Sequence, residues 1–104
     1  MSSYAVFWQH GGGIAFHGRL DFASDGFWLR GGEPGHDLRV EVRYGQILGI
    51  ERDSRTRIGS SQAIRIRTRA AGSILIASAG DAGMLGEIED MLCHAPHGVL
   101  ANAV

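Results

Sequence analysis

The chain has 104 residues, of which 44% are hydrophobic and 20% are charged, and its formal net charge is −1. This length and composition fit one folded domain with a single hydrophobic core, and they argue against intrinsic disorder. The near-neutral charge provides no general attraction for nucleic acid, so no nucleic-acid partner is expected.

Alternating apolar and polar residues predict three strands in the first third of the chain. The first, YAVFWQ, precedes a glycine turn at residues 11–13. The second covers residues 13–22, and its inward face is predicted to comprise Ile14, Phe16, Gly18, Leu20 and Phe22. The Asp25-Gly26 pair predicts a tight turn with a positive φ. The third strand, FWLR, then returns with Phe27 and Leu29 facing inward and Trp28 facing outward.

The same alternation predicts four further strands in the middle of the chain. Residues 31–37, GGEPGHD, contain three glycines and a proline and are predicted to form an irregular loop. The strands LRVEVR and ILGIER follow, separated by YGQ, and then QAIRIRTR and SILIAS are joined through AAG as a hairpin. Seven short strands spaced about 8 to 12 residues apart are typical of a closed or nearly closed β architecture.

The hydrophobic period changes near the end of the chain. In residues 81–94 the apolar side chains recur at the spacing of one helix face, namely Met84, Leu85, Ile88, Met91 and Leu92. Asp81 is the predicted N-cap and Pro96 the predicted stop. Gly83 and Gly86 lower the helix propensity, so we expect the helix to depend on packing against the sheet. Residues 96–104 are expected to form a short tail.

This layout resembles the pleckstrin-homology (PH) superfold, especially small stand-alone bacterial PH-like proteins and the related GRAM domains. The stretches that carry the resemblance are VEVRYGQILGIERD, GRLDFASDGFWLRG and DAGMLGEIEDML, which together extend it over nearly all of residues 4–95. The match is mostly hydrophobic pattern, and none of its motifs is catalytic. The resemblance implies a mainly β fold: a seven-stranded antiparallel, partly open barrel capped by one C-terminal amphipathic α-helix, as a single domain over residues 4–95.

The resemblance also suggests where an anion would bind. The phosphoinositide pattern of PH domains falls on Gln9 or His10 and on His17 with Arg19, which supplies too few charges for a tight phosphate site. A second family site, between a later loop and the first hairpin, would combine Arg52, Arg55 and Arg57 with His10 or Arg19. The alternative is a solvated loop whose arginines balance acidic residues such as Glu33, Glu41 and Glu51.

The distribution of charge makes the arginine-rich segment distinctive. Residues 52–69 carry a balance of +5, whereas the remaining residues carry −6. Arg65, Arg67 and Arg69 fall on the outward phase of a strand, where sheets commonly present charge, and are interpreted as surface residues. Any phosphate-binding role therefore belongs to Arg52, Arg55 and Arg57.

The sequence offers no catalytic or metal-binding constellation. Cys93, His94 and His97 lack a second cluster to complete a zinc site, so no metal or other cofactor is expected. The glycine run lacks the Lys-Ser/Thr of a phosphate-binding loop. The single cysteine excludes an intramolecular disulfide and fits a reducing cytoplasm, and neither a secretory signal nor a transmembrane segment is evident.

These observations predict a cytoplasmic, non-catalytic interaction module. The leading hypothesis is contact with a protein partner, or self-association into a homo-oligomer, through an exposed sheet face on which Trp28 is the candidate contact residue. The alternative is weak binding of an anionic lipid head group or a phosphate ligand through the loop at residues 52–57.

Overall fold

The computed structural model of the protein describes residues 2–33, 36–52, 54–80 and 83–94. Within these residues, eight strands and one α-helix follow one another, and a single-turn 3₁₀ helix occupies Tyr44–Gln46. Their bounds are β1 Ser2–His10, β2 Ala15–Phe22, β3 Gly26–Glu33, β4 His36–Arg43, β5 Ile47–Glu51, β6 Arg57–Ile58, β7 Ser61–Thr68, β8 Gly72–Ser78 and α1 Gly83–His94.

Seven of these strands form one continuous antiparallel sheet in the order β4-β3-β2-β1-β8-β7-β5. The sheet curls into a half-barrel, and the two-residue strand β6 pairs with the beginning of β7. All seven strands predicted from the alternation are present, and β6 is the additional one. The predicted fold class, a mainly β, partly open barrel with one C-terminal helix, is therefore confirmed.

The core lies on the concave side of the sheet, where the inward phases of the strands meet the helix. Its largest fully buried side chains come from both halves of the chain: Trp8, Phe27, Leu20, Leu29, Ile47, Ile64, Ile66, Ile74, Ile76, Ile88 and Leu92. Leu85 joins Ile88 and Leu92 on the buried face of α1, as the helical spacing predicts. The predicted cap Asp81 and stop Pro96 lie outside the described residues.

The prediction of an irregular loop over residues 31–37 was wrong, because strand pairing continues through most of it. Gly31 pairs with Leu38 and Gly32 with Asp37. Gly31 permits a close approach, since a Cβ there would lie 2.8 Å from Trp8 Nε1. That indole N–H donates a hydrogen bond to the carbonyl oxygen of Arg30 at 3.0 Å. The glycines therefore extend β3 while making room for the largest core side chain.

Two details of the first hairpins also differ from the prediction. Ile14 precedes β2, which begins at Ala15, so its side chain is 72% exposed and does not join the core face. The turn after β2 is tight, with Ala23 N–H donating to Gly26 O at 2.8 Å. Gly26 does not have a positive φ, however. Its lack of a side chain matters because a Cβ there would lie 2.3 Å from Val42 O on β4.

The helix α1 packs at one end of the half-barrel against β7 and β8. Within the described part of the chain, no helix is long and apolar enough to cross a membrane.

Candidate functional site

Arg52, at the end of β5, is held by groups from two other elements. Its Nη1 lies 3.1 Å from Glu89 Oε1 on α1, and the two side chains are 30% and 32% exposed. Its Nη2 donates to Gln62 Oε1 at 3.4 Å. The Arg52 charge is thus matched by a carboxylate, and the contact ties the strand to the helix.

The other two arginines of the predicted loop site differ in their surroundings. Arg57 folds back on its own loop, where Nε donates to Ser54 O and Nη1 to Ser60 O, each at 3.0 Å. Arg55 lies between them on the exposed side of the loop. The donors of Arg57 therefore close the turn around β6, and much of its hydrogen-bonding capacity is used within the chain.

A pocket of about 200 Å³ adjoins Arg52 at the same end of the barrel as α1. Its lining combines one guanidinium with hydroxyl, amide and apolar groups, from Arg52, Ser61, Gln62, Ser78, Gly80 and Leu85. This volume is smaller than the roughly 300 Å³ at which pockets for drug-sized ligands begin. The pocket is suited at most to a small polar group.

The structure does not bring His10 or Arg19 to this loop. His10 ends β1 opposite Ile74, and its Nε2 contacts the carbonyl oxygen of Ala71, whereas Ser78 of the pocket pairs with Val6. Four residues of extended strand, roughly 13 Å, separate His10 from Val6. Arg19 points to the convex face of the sheet, away from the pocket. The five predicted anion-binding residues therefore do not form one site.

Arg19 instead holds a carboxylate that is 4% exposed. Its Nε lies 3.0 and 3.1 Å from the two oxygens of Asp21, and Ser3 Oγ donates to Asp21 Oδ1 at 2.5 Å. Burial alone would raise the pKa of Asp21, but the hydrogen bonds from Ser3 and Arg19 outweigh it and lower that pKa below its ordinary value. The alternation of β2 puts Asp21 on the outward-facing side of the strand, but its carboxylate is in contact with the side chains of Ser3 on β1 and Arg19 on β2.

Three arginines stand in a row across the convex face, a feature that the sequence analysis missed. Arg19 on β2 is opposite Arg30 on β3, which is opposite Arg39 on β4. Neighbouring strands lie about 4.8 Å apart, so the row spans roughly 10 Å. Like charges directly opposite each other are unfavourable without compensation. The tight turn at residues 23–26 fixes part of this register and was the signal available in the sequence.

Trp28 lies in the next row and compensates part of this charge. It is half-buried on the convex face, while Phe27 and Leu29 are buried, as the alternation predicts. The Cζ of Arg39 is 3.8 Å from the centroid of the Trp28 ring, and that of Arg30 is 5.9 Å away. Both distances are within the range of cation–π attraction. The convex face of β2, β3 and β4 therefore carries a row of three arginines beside an aromatic ring, and the acidic residues Asp21 and Glu41 flank that ring in its own row.

The remaining polar residues singled out by sequence are accounted for separately. Arg65 and Arg67 are on the exposed phase of β7, and Arg69 is exposed just after it, as predicted; Arg67 Nε forms an ion pair with Glu51 Oε1 at 2.7 Å.

Partial desolvation, followed by the charges of Glu89 and Asp90, raises the pKa of the Cys93 thiol. That shift opposes formation of the nucleophilic thiolate.

The chain thus forms a mainly β half-barrel of seven main antiparallel strands with a C-terminal helix. No protein-family model and no curated protein matches its sequence. Four chains of solved structures match its fold. One is described as the C-terminal domain of an unknown protein from Leishmania infantum, with a TM-score of 0.63 and 13% sequence identity. The match covers 88% of this chain and 82% of that chain. At this identity the likeness concerns the fold alone.

Proposed function

We propose that the protein is a PH-like, non-catalytic interaction module that binds a protein partner, foremost a second copy of itself, through the convex face of β3 and β4 and the outer edge of β4. The PH-like assignment is supported by the order of the elements, in which seven main antiparallel strands are followed by a helix that packs at one end of the barrel.

One observation carries the proposal. The row of arginines beside Trp28 extends to β4, an eight-residue strand that pairs with β3 and, among the described residues, with no strand on its other side. Arginine and tryptophan are enriched where protein interfaces bind most strongly. Free strand edges also offer backbone hydrogen bonds to another chain. Aromatic, cationic and backbone contacts are therefore available on adjoining strands.

The loop alternative is less well supported by the geometry. Arg52 is paired with Glu89, and Arg57 donates to two carbonyl groups of its own loop. An anion at the pocket would have to compete with these contacts. We therefore expect no sedimentation of the protein with vesicles containing phosphatidylserine at moderate salt. Binding that is lost in the Arg52/Arg55/Arg57→Glu variant and kept in Arg65/Arg67/Arg69→Glu would favour the anion-binding hypothesis instead.

Self-association is tested by size-exclusion chromatography with light scattering over a series of protein concentrations. The expected result is a mass that rises from one chain to two with concentration. A mass of one chain at every concentration would contradict self-association. A second series at 1 M salt separates charge contacts from apolar ones, because the Debye length falls to about 3 Å and exposed charge pairs are then largely screened.

A further inference from the structure

Among the described residues, β4 and β5 are the two edge strands of the half-barrel, and β4 is the longer and more regular of them. Its pairing with β3 runs without a register shift from His36 to Arg43. The opposite edge, β5, has five residues and an irregularity between Ile47 and Gly49. Short and irregular edges resist pairing with other chains, whereas long regular edges favour it. Between the two, β4 is the edge suited to accept another strand.

The direction of the backbone groups along β4 follows from two hydrogen bonds at its end. Tyr44 N–H donates to Asp25 O at 3.0 Å, toward β3. Arg43 N–H donates to Gln46 Oε1 at 3.2 Å, away from β3. Because this direction alternates from residue to residue, the backbone groups of Arg39 and Glu41 face the open edge. A strand added to this edge would therefore hydrogen-bond to the backbone of Arg39 and Glu41, whereas the N–H of Arg43 already donates to Gln46.

The side chains of the odd-numbered residues carry alternating charge. Asp37, Arg39, Glu41 and Arg43 are all exposed and read negative, positive, negative, positive along the convex face. In an antiparallel pairing centred on Val40, Arg39 lies opposite Glu41 of the second copy, and Asp37 lies opposite Arg43. Opposite charges at directly opposed positions stabilise a sheet. The strand is therefore complementary in charge to an antiparallel copy of itself.

The neighbouring registers do not share this property. Centring the pairing on Arg39 or on Glu41 keeps the hydrogen-bonding phase but places that residue opposite its own copy. It also sets Asp37 against Glu41 in the first case and Arg39 against Arg43 in the second. Like charges directly opposite each other destabilise a sheet. The register centred on Val40 is thus the one that places all four charged residues opposite a residue of opposite charge.

We infer that β4 pairs antiparallel with β4 of a second copy about a two-fold axis at Val40, which joins two half-barrels into one continuous sheet. This inference rests on the proposed self-association and specifies its geometry. On the concave side, Leu38, which is 44% exposed, would lie opposite Val42 of the second copy, and Val40 would meet Val40. A two-fold contact of this kind is closed, so it ends at a dimer.

Complementary charge variants test the pairing. Arg39/Arg43→Glu makes the edge wholly acidic, and Asp37/Glu41→Arg makes it wholly basic. Each variant alone is expected to raise the dissociation constant of the dimer by at least about tenfold, since every opposed pair becomes repulsive. An equimolar mixture is expected to form a heterodimer. The matched controls are Arg65/Arg69→Glu and Asp25/Glu87→Arg, which make the same charge changes at exposed positions elsewhere and should dimerise like the wild type.

A cysteine crosslink tests the register independently. In a Cys93→Ser background, Val40→Cys places two thiols at a non-hydrogen-bonded pair, where Cα atoms lie about 4.5 Å apart, within disulfide range. Arg43→Cys places them roughly 20 Å apart. Mild oxidation should therefore crosslink the first variant and leave the second as single chains. Circular dichroism of each variant establishes that it is folded.

The results separate this pairing from the broader proposal. Suppose that the wild type dimerises, that neither charge variant weakens the dimer, and that Val40→Cys does not crosslink. This result would overturn the β4 pairing but would leave the proposal of self-association intact. A chain that stays single at every concentration, with no heterodimer from the mixed variants, would overturn both.

Discussion

The guanidinium of Arg39 lies over the indole of Trp28, with its Cζ 3.8 Å from the ring centroid. This contact links β4 to β3 on the convex face, and it joins the row formed by Arg19, Arg30 and Arg39 to the next row, in which Trp28 lies. A planar guanidinium stacked on a ring keeps its edge available for hydrogen bonds. The ring therefore restricts Arg39, and in the proposed pairing of β4 the free edge of this guanidinium would face Glu41 of the second copy.

Replacing Trp28 by alanine is expected to raise the dissociation constant of the dimer several-fold and to lower the free energy of unfolding only slightly. The folded chain loses the attraction between the ring and Arg39, which is worth about 0.5–1 kcal/mol at exposed sites. In the dimer, Arg39 would in addition no longer be held in one position by the Trp28 ring, so more of its side-chain freedom would be lost on pairing. The measurements are the dissociation constant by sedimentation equilibrium and the free energy of unfolding by urea titration.

The control for this change is Phe7→Ala, which removes an aromatic ring that lies against His17 on the convex side of β1, away from the proposed edge. Phe7→Ala should leave the dissociation constant near the wild-type value. Equal weakening by both variants would contradict a specific role for Trp28.

Asp21 should make the stability of the protein sensitive to acid. Hydrogen bonds from Ser3 and Arg19 outweigh burial and lower its pKa in the folded chain. A carboxyl group with a depressed folded-state pKa stabilises the protein above the unfolded-state pKa of about 3.9. That contribution is lost as the pH falls through the lower folded-state pKa. Asp21→Asn should therefore flatten the pH dependence of the free energy of unfolding below about pH 4 and destabilise the protein at pH 7.

The matched control is Asp25→Asn, since Asp25 is exposed in the turn between β2 and β3. It makes the same chemical change away from the hydrogen bonds that Asp21 accepts, so it should lower the free energy of unfolding at pH 7 less than Asp21→Asn does. Ser3→Ala should shift the acid transition upward in pH, because one of the two donors that stabilise the ionised carboxylate is gone. An unchanged acid profile in Asp21→Asn would contradict this account.

Gly31→Ala is expected to destabilise the fold by about 1–3 kcal/mol, the usual range for overpacking a core. The added methyl group would lie 2.8 Å from Trp8 Nε1 and 3.0 Å from Phe16 Cβ, so the indole must shift. Its hydrogen bond to Arg30 O would lengthen. Thermal unfolding followed by tryptophan fluorescence measures both effects. Gly12→Ala, where nothing lies within 4 Å of the new Cβ, should change the midpoint little.

Much of this fold was predictable because its strands alternate cleanly. Leu20, Leu29 and Ile64 are buried where period two places them, and Ile88 is buried where the helical period places it. β6 was missed because two residues cannot display an alternation. The extension of β3 through Gly31 depends on the fit of a tryptophan from another strand, which no local pattern contains.

The convex surface was less predictable, because it is a property of register between strands. Arg19, Arg30 and Arg39 are separated along the chain and come together only when two hairpins fix their alignment. The pairing of Arg52 with Glu89 likewise depends on where α1 packs. Residue types alone suggested an anion site, whereas the three-dimensional arrangement supplies partners for the same arginines.

The contact between Arg52 and Glu89 should contribute a small, salt-dependent coupling between β5 and α1. A double-mutant cycle of Arg52→Ala and Glu89→Ala is expected to give an interaction energy of about 0.5 kcal/mol, since both side chains are partly exposed and such pairs are screened by solvent. Raising the salt concentration to 1 M should reduce the coupling because the Debye length falls to about 3 Å. The same cycle for Arg52 with the exposed Glu87 should give no coupling. A coupling for Arg52 and Glu89 as small as that for Glu87 would mean that the arginine is free in solution, and it would restore the loop as a place where an anion could bind.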